Sequence, residues 1–163
     1  MPDVDLQALY AELETRAFPG SWTEWVHGAL PVTSNASGHA IVLAESDEFW
    51  DDHDGSAAAA AGEHLASVYR NYEIAATVVW GGPRLVDITH RLAGGETSPF
   101  TELLLEQGAI SGNFWDRGER ALGLAICQMD KEMAIQVVAF VVPTGELQKC
   151  THSEGMRLIG DGA

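Results

Sequence analysis

Basic residues are scarce in this chain. Nine Lys plus Arg stand against 24 Asp plus Glu in 163 residues, a formal net charge of −15 at pH 7. Binding to nucleic acids and to anionic lipid draws on cations that neutralise phosphates, so direct DNA, RNA or membrane contact is disfavoured. Cysteine is scarcer still. Cys127 and Cys150 lie far apart and in no CxxC or Cys/His framework, so neither a disulfide scaffold nor a structural zinc site is indicated and both thiols are expected to be reduced. No uninterrupted apolar run approaches the roughly 18 to 20 residues that span a bilayer, and glycine lacks the three-residue period of collagen. The opening stretch, Met1 to Glu14, carries acids where a targeting leader would need bases, which makes the cytoplasm the expected location.

Apolar residues, by contrast, make up 46% of the chain and include five Trp, enough to build a core without staples. A chain of this length is expected to form a single globular domain over residues 1–163, burying roughly 70% of the surface it exposes when unfolded. The charge is unevenly spread. Residues 1–69 hold twelve acids and one base, Arg16, a balance of −11, and residues 70–163 hold twelve acids and eight bases, a balance of −4. The densest stretch runs through Glu45, Asp47, Glu48, Asp51, Asp52 and Asp54.

Leu6, Leu9, Tyr10, Leu13 and Ala17 recur at helical spacing and predict an amphipathic helix over residues 3–18, stopped by Pro19-Gly20. Ser21 to Glu24 has the spacing of a capping box and predicts a short helix ending at Gly28, which would place Trp22 and Trp25 together against the core. Residues 31–38 read as loop, 39–45 as a strand, and Ser56 opens a helix to about Tyr72. Ile74 to Trp80 reads as a buried strand, with residues 84–89 returning as its hairpin partner. Thr97 or Ser98 with Pro99 opens a helix closed by Gly108. Residues 121–129 and 133–142 form the clearest hairpin, and from Pro143 to residue 163 a loosely ordered tail follows, with at most one strand at Met156 to Ile159. This order predicts an α+β fold, a mainly antiparallel sheet with about three helices packed on one face; an α/β fold with a partly parallel sheet is the alternative, through a βαβ unit over 39–80.

Motifs that would carry chemistry mostly fail on spacing. Aligning Gly55 with the glycine of a calcium loop puts Asp52 and Asp54 correctly but leaves Trp50 and Ala61 at essential ligand positions. His53 and His64 do not share a helix face, so no metal and no cofactor are expected. Gly155 and Gly160 have the spacing of a phosphate loop without its Lys and Ser/Thr, and residues 108–112 miss a nucleophile elbow by one residue. Cys150 and His152 are two apart, with an exposed tail thiol the simpler reading, whereas the apolar setting of Cys127 points to the core. Asp87 and His90, with Arg84 and Arg91 nearby, are the weak catalytic candidates: a base, its orienting carboxylate and cations for an anion. The adjacent pairs Phe49-Trp50 and Phe114-Trp115 point to opposite sides of an extended chain, which can leave one ring of each outside the core.

Two functions from different classes follow. The first is a non-enzymatic binding or inhibitory protein, of the immunity or regulator kind, docking a basic protein partner through Asp47, Glu48, Trp50, Asp51, Asp52 and Asp54, where charge speeds association and an aromatic ring anchors it. The second is a small enzyme or ligand-binding protein using His90 with Asp87, or a carboxylate of the acidic stretch, as general base. Self-association into a homo-oligomer is left open by either.

Overall fold

The computed structural model describes residues 3–150. Their centre is one seven-stranded sheet of order β1-β2-β3-β7-β6-β5-β4. In chain order the elements are α1 (Leu6–Leu13), β1 (Thr23–His27), β2 (Leu30–Asn35), β3 (Gly38–Glu45), α2 (Ser56–Trp80), β4 (Arg84–Asp87), α3 (Thr89–Ala93), α4 (Pro99–Glu106), β5 (Ser111–Asp116), β6 (Arg120–Cys127) and β7 (Gln136–Pro143). Residues 144–150 are helical and are called α5. Every pairing among the described strands is antiparallel. The fold is therefore α+β with an antiparallel sheet, and the partly parallel alternative does not form.

Helices cover both faces of the sheet, not one. On the first face α1 and α2 pack Leu9, Leu13, Leu65 and Tyr72 against Ile41, Trp115, Leu122, Leu124, Ala139 and Val141. On the second, Phe100, Leu103 and Leu104 of α4 and Leu147 and Cys150 of α5 meet Phe114, Ala125, Val138, Phe140 and Val142. The residue pattern demands this cover. Strands β6 and β7 are apolar at nearly every position, and a strand that is apolar on both sides needs a layer on each.

Four segments depart from the sequence-based expectation. Residues 23–27 form β1, not a helix: Gly28, at φ +62°, and Ala29 make a two-residue turn between the paired His27 and Leu30, and the hairpin absorbs residues 30–35 as β2 where a loop was expected. Glycine at the first turn position suits the hairpin twist. The predicted strand 74–80 is the last part of α2, because no glycine or proline interrupts the chain between Tyr72 and Gly81. Leu65, Tyr72 and Ala76 bury one stripe of that helix while Ile74, Val78 and Val79 face outward. Residues 84–87 then pair with β5, a strand beyond the sequence-based expectation, and not with residues 74–80.

Elsewhere the local signals hold in part: α1 ends at Leu13, short of the expected residue 18, and α2 begins at Ser56 without a side-chain cap from its N-cap residue, Gly55. Ser98 caps α4, with Pro99 at its first position. Asp5, two residues into the expected helix, caps α1 through the Ala8 N–H at 3.1 Å. The strand expected at residues 156–159 lies outside the described residues, as does most of the expected tail; within that tail, 144–150 are helical.

Candidate functional site

The second face of the sheet is only partly covered. Helices α4 and α5 lie over β5, β6, β7 and the start of β3, α4 reaches only the end of β2, where Asn35 Nδ2 donates to the Pro99 carbonyl at 2.7 Å, and the layer stops before the rest of β2 and β1. The register places Glu24 beside Thr33, and Thr33 beside Ala40, on this face, while Trp25, Val32 and Ile41 turn to the opposite face and the core. The open part forms a groove of about 640 Å³. Its floor is the sheet, and its walls are the end of α4, the β6–β7 connection and the segment after β3.

Five carboxylates line this groove: Glu24, Glu45, Asp47, Glu48 and Glu106. No Lys, Arg or His lines it among the described residues. Beside the carboxylates stand the exposed side chains of Trp22, Met129 and Met133, with Trp22 43% exposed. Exposed aromatic and thioether side chains are costly to hydrate and adapt readily to a partner's shape. Glu45 is fixed by the Gln136 side-chain amide at 2.6 Å. Gln107, the residue that ends α4, lies at the inner wall only 9% exposed, and its carboxamide has no hydrogen-bond partner among the described residues.

The acidic stretch singled out from sequence divides in two. Asp47 and Glu48 line the groove, and Glu48 also borders a shallow hollow of about 270 Å³ with Trp50, Asp51 and Asp52. Phe49 is buried and Trp50 is 61% exposed, its Nε1 donating to Glu48 at 3.0 Å. Asp52 and Asp54 serve the fold as well as the charge. Asp52 accepts the N–H groups of Ala57 and Ala58, and Asp54 accepts the N–H and hydroxyl of Ser56, which satisfies the free donors at the start of α2. Those bonds from Ser56 hold the exposed Asp54 carboxyl below its usual range. Among the described residues no three His, Cys, Asp or Glu side chains are placed to hold a metal ion.

Asp87 and His90 are not brought together. The Asp87 carboxylate accepts the Thr89 N–H at 2.7 Å, fixing the turn into α3, while His90 is exposed on α3 and no bond joins the two. Arg84 pairs with Asp116, and the buried Arg91 pairs with Glu96 and Glu146. Cys150, expected as an exposed thiol, is buried, because α5 packs it under Arg91, whose Nη1 lies 3.2 Å from its Sγ. Cys127 is in the core as expected, where burial pushes its thiol up to about 12. Phe114 and Trp115 are both buried, since each face of β5 is covered at that point.

One buried polar group lies beneath the same wing on its covered face. His39 Nε2 donates to the Arg16 carbonyl at 3.4 Å, so Nδ1 accepts from Ser34 Oγ at 2.6 Å, and Ser34 in turn accepts the Trp25 Nε1–H at 2.8 Å. Burial lowers the His39 pKa to about 4, which keeps the ring neutral. The chain locks the β1–β2–β3 wing from below while its upper side stays open.

No family model, curated protein or solved structure matches the chain. The site must therefore be read from its own groups. Trp22, Glu24, Glu106, Gln107, Met129 and Met133 were not marked from sequence. The period-two alternation of residues 22–27, read as a strand instead of a capping box, is the signal that would have separated Trp22 and Glu24 from Trp25. None of the described helices is long and apolar enough to cross a membrane.

Proposed function

We propose that this is a non-enzymatic binding or inhibitory protein, of the immunity or regulator kind, that docks a basic protein partner on the acidic groove and the adjoining Trp50 segment. The observation that carries the reading is the lining itself: five carboxylates without a cation, set around exposed Trp22, Met129 and Met133. Unbalanced charge of one sign steers an opposite partner into contact, and apolar anchors retain it. Glu24, Glu45, Asp47 and Glu48 belong to the −11 of residues 1–69, and Glu106 adds a further charge from the second part of the chain.

The test is affinity capture from lysate of the source cell at low and high salt. The wild-type chain is compared with a variant carrying Glu24→Gln, Glu45→Gln and Glu106→Gln, substitutions that spare the aspartates capping α2. A basic protein retained at low salt, released at high salt and lost with the variant supports the reading. Equal retention by the variant, or elution of a small molecule in place of a protein, overturns it and returns attention to His90 and Asp87.

A further inference from the structure

We infer that the groove takes an extended segment of its partner, with Lys or Arg alternating with apolar side chains, and that Gln107 recognises the backbone of that segment. The inference rests on the docking reading above and adds the conformation of the occupant. Two independent observations support it. The first is the charge: Glu24, Glu45, Asp47, Glu48 and Glu106 face the groove with no basic side chain among its described lining residues. The second is Gln107, buried at the inner wall with an unpartnered carboxamide. A buried amide left without partners is costly, and one that lines an open groove can be satisfied by what enters it.

A carboxamide offers a donor and an acceptor side by side, the complement of one peptide unit. A helix has already spent its backbone N–H and C=O groups on itself; an extended segment has them free. The spacing agrees. Trp22 and Glu24 are two apart where the chain enters β1, so their side chains stand on one side about 7 Å apart, the repeat of alternate side chains in an extended guest. A basic residue over Glu24 thus puts the next residue on that side over Trp22, and Met129 and Met133 offer adaptable apolar contact to the others.

The experiment pans random peptides of about ten residues, some 33 Å when extended, against the immobilised full chain. The enriched peptide is then titrated into wild type and Gln107→Leu, with the Gln107 side-chain NH₂ signals followed by NMR, and the titration is repeated with peptides N-methylated at one amide at a time. Enriched sequences should alternate bases with apolar residues, and the Gln107 signals should move. Gln107→Leu should weaken the peptide about ten-fold. One N-methylated peptide should lose about as much on wild type and nothing further on Gln107→Leu. If the leucine variant does not fold, Gln107→Met, which keeps the length and removes donor and acceptor without adding charge, takes its place with the same expected loss.

Enriched peptides without bases, N-methylation without effect at every position, or still Gln107 signals overturn the inference. So does a peptide that becomes helical on binding, or displacement by spermine at equal concentration, which would make this a polyamine site. No enrichment at all also overturns the extended-segment inference, while the docking reading survives if capture of a basic protein is still lost with the Glu24, Glu45 and Glu106 substitutions.

Discussion

The middle of the sheet and its β1–β2 wing are built by different rules. In β7 Val137 to Val142 are all buried, and in β6 only Ile126 among the apolar positions is exposed. In β1 no residue is fully buried, and its inward side carries Trp25, packed over the core, and the half-buried His27, which pairs with Glu12 of α1, while Glu24 and Val26 face out. Burial dictates residue type on two sides in the first case and on one side in the second. Side chains on the free side answer to no packing requirement, and that is where Trp22 and Glu24 stand. The lesson is that the carboxylates gather where the helical layer stops.

Disturbing the centre should cost most. Phe140 lies between β3 and β6, its ring 6.3 Å from that of Phe114, and Phe140→Ala should lower stability by about 3 to 5 kcal/mol, seen as a fall in denaturant midpoint. An unchanged midpoint would mean that the two-sided core is misplaced.

Acid should come next, through the covered side of the wing. His39 is neutral in the fold with a pKa of about 4, against about 6.5 when unfolded, so the unfolded chain takes the proton first as pH falls. Its contribution is complete above about pH 6.5, is lost on the way down to about pH 4, and levels off below; the loss is about 3 kcal/mol. Denaturant midpoints from pH 7 to 4 should show this slope, and His39→Gln should flatten it. A slope shared by both proteins would remove His39 as its cause.

A smaller loss is expected at Gly123, where an added methyl would meet the Phe114 ring directly. Gly123→Ala should cost about 1 to 3 kcal/mol by overpacking, measured by thermal unfolding. Least of all, Trp22→Ala on the open side should change stability by no more than about 0.5 kcal/mol yet speed dissociation of a bound partner, because its ring is held by little within the chain. A large loss of stability there would make Trp22 a core residue and close the groove as a site.

How far the sequence revealed this follows from the range of each signal. Helix α4 and the β6–β7 hairpin rest on neighbours in the chain, Ser98 with Pro99 and two apolar runs about a turn, and both were legible. The capping-box spacing of Ser21 and Glu24 misled because it is equally compatible with a strand when a glycine turn and a partner strand follow. Ile74 to Trp80 misled because β-branched residues on the outward side of a long helix imitate a strand. The charged half of the site, Asp47 and Glu48, was visible as a run. Its other half was not, since Glu24, the adjacent Glu106 and Gln107, and Met133 come from three separate places that only the sheet register and the end of α4 bring together.

The most direct test of the account is the association rate of the captured basic partner across a salt series, with wild type and the Glu24→Gln, Glu45→Gln, Glu106→Gln variant side by side. Charges steer only within about 8 Å at physiological ionic strength, so the wild-type rate should fall steeply as salt rises and the variant should be slower at low salt with a flatter dependence. Association that ignores both salt and the three substitutions would contradict the claim that this groove is the docking surface.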